Sequence, residues 1–142
     1  MSDPGEDPRP SRGAVREVRT VAQAATLAYS PDLDGLADPG EIVWAWVPYE
    51  EDPSRGKDRP LLVVGRTGRG LIGMMLSSKG EEGPDWLEIG AWGRDGRVSH
   101  LRLDRVFVLD EHDIRREGAV LDAARFARVA ARLMKLHGWS AG

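Results

Sequence analysis

The sequence predicts a mainly β domain, a small antiparallel barrel closed by one C-terminal helix. Three observations carry this reading. From Glu41 onward, short runs rich in β-branched and aromatic residues alternate with clusters of Gly, Pro, Asp and charge. A single late segment, Leu121–Gly138, has helical spacing and signals at both ends. The chain has 142 residues, 41% of them hydrophobic, which suits one ordinary domain with one core.

Residues 1–13 are rich in Pro, Gly and charge and are expected to be disordered. Val15–Tyr29 contains helix formers and predicts a short helix. Ser30–Gly40 is a turn-rich linker ending in Pro39-Gly40, where the domain boundary is placed. The first barrel strand is Ile42–Val47, ended by Pro48. A polar loop, Tyr49–Arg59, follows, and Pro60 is read as the first residue of a second strand, Leu61–Val64. Thr67–Gly70 makes a hairpin tip, Leu71–Ser78 a third strand, Lys79–Pro84 a turn and Trp86–Ile89 a fourth strand. Arg94-Asp95-Gly96 carries a tight-hairpin signal, and Val98–Leu109 reads as a long final strand or a bent pair.

The helix has Asp122 as N-cap, with Leu121 before it placed to staple against Phe126. Phe126, Val129, Ala130 and Leu133 form one apolar stripe. Lys135 and His137 occupy the last turn, and Gly138 is the stop. The expected division is a partly disordered or helical N-terminal extension (1–38), a barrel with its helix (39–138) and a short tail (139–142). A small barrel covered by a helix buries both sets of apolar residues.

Several classes are excluded or disfavoured. The longest apolar runs, such as Ile42–Val47, fall far short of the roughly 20 residues of a membrane-spanning helix. The polar N-terminus has no secretory pattern. Without cysteine there are no disulfides and no thiolate zinc sites, and a cytoplasmic protein is expected. His112-Asp113 lacks the companions of a metal site, and Gly56-Lys57 is followed by Asp58, not by the Ser or Thr of a phosphate-binding loop. Net charge is −3, but it is uneven. Residues 55–70 hold five cations (Arg55, Lys57, Arg59, Arg66, Arg69) against one anion, whereas residues 1–38 hold seven acids against four arginines. A basic patch on an otherwise acidic protein is one reading of this, and an arginine-rich solvated loop is the other. Trp44 and Trp46 read as core, with stacking on bases the lesser alternative, Met74-Met75 as core or dimer contact, and Trp92 as exposed near a hairpin tip, where it could meet a base or a partner.

Four blocks in order carry a family resemblance: Pro39-Gly40-Glu41-Ile42-Val43-Trp44, Arg59-Pro60-Leu61-Leu62-Val63-Val64, Leu76-Ser77-Ser78, and Leu101-Arg102-Leu103-Asp104-Arg105 through Leu109-Asp110. Together, over about residues 39–136, they resemble the PemK/MazF toxins of type II toxin–antitoxin systems. The resemblance implies an SH3-like barrel of the PemK/MazF/CcdB-like kind and a homodimer. It further implies a cytoplasmic endoribonuclease, an mRNA interferase that cuts short sequences in single-stranded RNA, and a cognate antitoxin that folds over its groove. Arg59 matches the arginine of the family's Arg-Pro motif, Ser77 a position that is usually threonine, and Arg102 with Asp104 an Arg-x-Asp pair that some members use in catalysis. Some members carry a histidine in the first loop, where this chain has Pro53.

Such cleavage uses the substrate's 2′-hydroxyl as nucleophile and needs no metal or cofactor. It needs a rigid positive fork for the phosphorane, which Arg59 and Arg102 can supply, and a neutral donor such as Ser77. Arginine shuttles protons poorly, so another group must move them. His100, Arg102 and Asp104 have i, i+2, i+4 spacing and would share one face of a strand, which makes His100 the candidate for proton transfer. Arg55, Lys57, Arg66, Ser78 and Trp92 are the candidates for RNA contact. Two other readings stay open: a non-catalytic barrel that binds an antitoxin-like partner or nucleic acid, and an inhibitor of a protein target such as DNA gyrase.

Overall fold

The computed structural model describes residues 7–8, 15–18, 26–29, 38–68, 70–79, 83–93, 96–109, 113–114 and 116–141. Its strands are β1 (Asp7–Pro8), β2 (Arg16–Val18), β3 (Thr26–Leu27), β4 (Glu41–Pro48), β5 (Arg55–Thr67), β6 (Gly70–Ser77), β7 (Trp86–Ala91), β8 (Val98–Arg102), β9 (Val106–Leu109), β10 (Arg116–Val120) and β11 (Ser140–Ala141), with one helix, α1 (Ala123–His137). The main path runs β10-β4-β5-β6-β8-β7, and β9 pairs with both β6 and β2. This is the mostly antiparallel barrel with a C-terminal helix that the sequence predicts. The proposed tight turn at Arg94-Asp95 and the His112 position lie outside the described residues.

β4 and the Leu61–Gly65 part of β5 are buried on both faces, which explains their near-continuous apolar runs. Ile42, Leu62 and Val64 face one cluster together with Met74, Leu101, Phe126, Val129 and Leu133. Val43, Ala45, Val47, Leu61 and Val63 face the other, with Met75 and Phe107. Met74 and Met75 are therefore core.

One expected boundary differs: β5 begins at Arg55, inside the segment read as a polar loop. Pro60 does not open β5; it sits mid-strand opposite Trp44 of β4. The Val63 carbonyl accepts from Gly40 N on the β4 side. Backbone alternation then turns Leu61 and Arg59 toward β4, and Leu62 and Pro60 toward β6. The β5–β6 ladder ends at Leu61↔Met75, one residue before proline would owe β6 an N–H. Val98–Leu109 is the bent pair: β8 joins β7 and the end of β6, while β9 joins the start of β6.

The N-terminal segment departs further from expectation. Arg16–Val18 is a strand paired with β9, Thr26–Leu27 is a strand paired with β5, and Asp7–Pro8 pairs with Gly56 and Arg55. The helix read from Val15–Tyr29 is thus absent at its described residues. Pairing with open strand edges and the burial of Val15 and Leu27 outweigh weak local helix preference. Gly65 permits the contact with β3, because a Cβ there would lie 2.2 Å from the Thr26 carbonyl oxygen. β10 was not foreseen either; it closes the β4 edge through a bulge between Glu117 and Ala119.

The helix follows its sequence signals. Asp122 accepts from Arg125 N at 3.1 Å, and Gly138 adopts φ 71° with its N–H on the Met134 carbonyl. Beside the apolar stripe, Arg125 reaches the Ala91 carbonyl at 2.6 Å and Arg128 the Glu88 carbonyl at 3.4 Å. The helix thereby covers the outer edge of β7. Removing the cap in Asp122→Ala should lower unfolding free energy by about 1 kcal/mol in urea titration, with the midpoint shifted and the slope unchanged. A variant as stable as the parent would show that packing, not capping, fixes this end of the helix.

Candidate functional site

Where β5 leaves β6, two clefts open side by side, and Arg59 lines both. The larger, about 820 Å³, is built from Trp44 of β4, Lys57–Pro60 of β5, Leu76–Lys79 at the end of β6, and Trp92, Arg97 and Ser99 of the β7–β8 hairpin. The smaller, about 480 Å³, lies under the β4–β5 loop and is lined by Glu50, Arg55, Met75, Arg102 and Arg105 among others.

The loop over the smaller cleft is shaped locally. Asp52 Oδ1 accepts from Ser54 N at 3.1 Å and from Ser54 Oγ at 2.6 Å, a side-chain turn that needs no distant partner. The serine hydroxyl holds the Asp52 carboxyl below its usual range. Tyr49 N on the Arg55 carbonyl, 2.8 Å, closes the loop. In the larger cleft, Ser77 Oγ accepts from Lys79 N at 3.1 Å. That bond fixes the hydroxyl's acceptor side and leaves its proton as the donor.

Two arginines of the smaller cleft, Arg102 and Arg105, are held by carboxylates. Arg102 Nε donates to Asp104 Oδ1, and its Nη2 donates to Asp104 Oδ2 at 2.9 Å and to Glu50 Oε2 at 3.0 Å. Its guanidinium lies 5.3 Å from the centre of the Trp86 ring. The bond to Asp104 raises the Arg102 pKa, and the same bond lowers that of Asp104. Arg105 is only 5% exposed. Its Nε and Nη2 grip Glu17 of β2 at 3.0 and 2.8 Å, and Nη2 also donates to the Pro48 carbonyl at 3.1 Å.

The structure brings together most of the residues singled out from sequence. Arg59, Ser77, Lys57, Ser78 and Trp92 line the larger cleft; Arg59, Arg102 and Arg55 line the smaller, with Asp104 bound to Arg102. Arg66 stands apart at the far end of β5, paired with Asp38 at 2.9 Å. His100 lines neither cleft, and its Nδ1 is buried without a hydrogen-bond partner among the described residues. The three-residue stripe expected from His100 to Asp104 is not one strand face, because β8 ends at Arg102 and Asp104 lies in the bend after it. Trp92 is half-buried, its indole N–H donating to Ser99 Oγ at 3.0 Å.

Sequence reading missed Trp44, Glu50, Lys79, Arg97 and Arg105 as site residues. Trp44, read as core, is only half-buried and faces the larger cleft. Arg105 stood at the end of the quoted Leu101–Arg105 block, a signal that could have been used. Among the described residues no group of three or more His, Cys, Asp or Glu is placed to hold a metal ion, and no helix is long and apolar enough to cross a membrane.

The Arg102–Asp104 pair makes a pH-dependent prediction. A carboxyl whose folded pKa lies below its unfolded value of about 3.9 stabilises fully above that value. The stabilisation is lost as pH falls through the lower, folded pKa. Both side chains are partly exposed, so the contribution stays below about 1 kcal/mol. Asp104→Asn should lower stability at pH 7 by up to about 1 kcal/mol and converge on the parent as pH falls below about 4, which flattens the acid limb of the stability curve. An unaltered acid limb in chemical denaturation would contradict the pairing.

No curated protein matches the chain. The family described as PemK-like, MazF-like toxins of type II toxin–antitoxin systems matches residues 38–137, the barrel and its helix together with both clefts. By that match, and by the barrel and arginine-lined clefts that it covers, the chain belongs to the PemK-like, MazF-like toxins of type II toxin–antitoxin systems.

Proposed function

We propose that this toxin is an endoribonuclease that cleaves single-stranded RNA without a metal ion, works in the cytoplasm and is restrained by an antitoxin laid over the same clefts. The observation that carries the reading is Arg59 at the junction of two clefts, with Ser77 on one side and Arg102 on the other. A chain crossing this junction would place a phosphate against two rigid guanidinium groups and a hydroxyl donor. These are the groups that stabilise a doubly charged phosphorane.

Proton transfer needs a group within reach of the same phosphate. His100 lies outside both clefts, so the reading moves this role to a carboxylate of the smaller one. Glu50 is placed for it: its side chain is 60% exposed and its Oε2 lies 3.0 Å from Arg102. Glu50 takes the proton of the 2′-hydroxyl, whose oxygen attacks phosphorus; the bond from phosphorus to the 5′-oxygen breaks, and that oxygen takes a proton from water and leaves as a hydroxyl. The products are a 2′,3′-cyclic phosphate and a 5′-hydroxyl end.

A second reading, a barrel that binds an antitoxin-like partner or RNA without cutting, draws on the carboxylates already seated on Arg102 and Arg105. Incubation with a long RNA in excess chelator separates the two. Cleavage leaving 5′-hydroxyl ends is expected, and a strict divalent-ion requirement would overturn the mechanism. Arg59→Ala and Arg102→Ala should each slow cleavage by about 100-fold or more. Ser77→Ala should cost less, Glu50→Gln should remove one limb of the pH–rate profile, and His100→Ala should leave the rate unchanged. Undiminished cleavage in the double arginine variant would overturn the proposed site, whereas RNA binding without cleavage by the parent chain would favour the binding module.

The reading also includes a homodimer, since small barrels gain by sharing a buried face. Sedimentation at micromolar concentration should give twice the 15.6 kDa chain mass; a monomer would contradict it.

A further inference from the structure

The larger cleft combines two features that phosphate binding alone does not call for: a pair of tryptophans and an indole pinned by a buried hydroxyl. Trp44 and Trp92 are each half-buried, with ring centres 6.3 Å apart and planes tilted by 52°. Trp92 is held at both ends. Its ring packs against the main core cluster, and its N–H donates to Ser99, itself only 6% exposed. The indole's one polar group is thus satisfied inside the protein, and its ring is fixed in orientation before any ligand arrives. Around this aromatic corner stand Lys57, Arg59, Lys79 and Arg97, with Asp58 the one acid among the lining residues.

We infer that Trp44 and Trp92 form a binding site for one unpaired nucleobase, stacked on one ring and bounded by the other, while the surrounding cations hold the flanking phosphates. The ligand class is single-stranded nucleic acid. A base in a duplex is already stacked on its neighbours and cannot enter a tilted corner, whereas an unpaired base offers a free π-face to a pre-fixed ring. The tilt argues for one base on one face and not for a base sandwiched between parallel rings. The site gives Trp92 a role in substrate choice distinct from the arginine chemistry. This inference rests on the ribonuclease reading, because it assumes that single-stranded RNA occupies this cleft.

The test uses the full chain and a fluorescently labelled single-stranded DNA oligonucleotide, which lacks the 2′-hydroxyl and is not cut. A second oligonucleotide has the same length and charge but abasic sugars throughout its middle. Anisotropy titration of the parent protein should show the abasic strand binding about 10- to 100-fold more weakly. Trp92→Ala should lose that same factor on the ordinary strand and almost nothing on the abasic one. Trp92→Phe, which keeps an aromatic face, should retain most of the preference. Equal binding of the two strands by the parent protein would overturn the stacking site and leave the ribonuclease reading standing. No binding of either strand at low salt would overturn both. Because the decisive comparison is made on the parent chain, it holds even if a tryptophan variant fails to fold.

Discussion

The missing N–H of Pro60 is the constraint from which the site follows. β5 pairs with β4 along its outer half and with β6 along its inner half, and the β6 ladder stops at Leu61. Beyond it, Pro60 turns toward β6 a position that cannot donate. β6 runs on past this point, paired through Leu76 and Ser77 with β8 on its other edge. β5 and β6 part, and Arg59 and Ser77 both line the cleft that opens there. A residue that weakens a sheet locally has here opened a cleft beside the packed core.

The charge arrangement follows from placing several arginines around one gap. A guanidinium as enclosed as that of Arg105 is costly without a partner. Glu17, from outside the region matched to the family, supplies that partner in a two-point contact. Asp104 and Glu50 do the same for Arg102 at a more exposed position, where each contact adds little stability and mainly fixes geometry. The acids that make the chain net negative and the cations that line the clefts are therefore partly the same system. The N-terminal segment takes part in it, through Glu17 on Arg105, Val15 in the second core cluster and Tyr29 on the Leu121 carbonyl at 2.8 Å.

Much of this was legible in the sequence where rules are local. The helix and its caps followed from Asp122, Phe126 and Gly138, because capping depends on a few neighbouring residues. The barrel strands from β4 to β9 followed from apolar runs bounded by turn residues. β2 and β10 did not, since Arg16-Glu17-Val18 and Arg116-Glu117-Gly118 carry no strand pattern; partners distant in sequence make them strands. The site divides in the same way. Arg59, Ser77 and Arg102 were found from short motifs. Glu50 and Arg105 were missed because what matters about them is which residue 30 to 90 positions away lies against them. His100 shares β8 with Arg102 and lies opposite Ser77 in the ladder, yet its side chain lines neither cleft, which spacing along one strand does not reveal.

On the proposed function, Arg59 meets a nucleic-acid phosphate at the junction of the clefts. Binding of a single-stranded oligonucleotide should weaken linearly on logarithmic axes as salt rises. Each phosphate contact contributes about 0.7 to the slope. Measured side by side, Arg59→Ala should bind more weakly and show a slope smaller by about that amount. A slope identical to that of the parent protein would mean that Arg59 touches no phosphate, and the account of the site would fall.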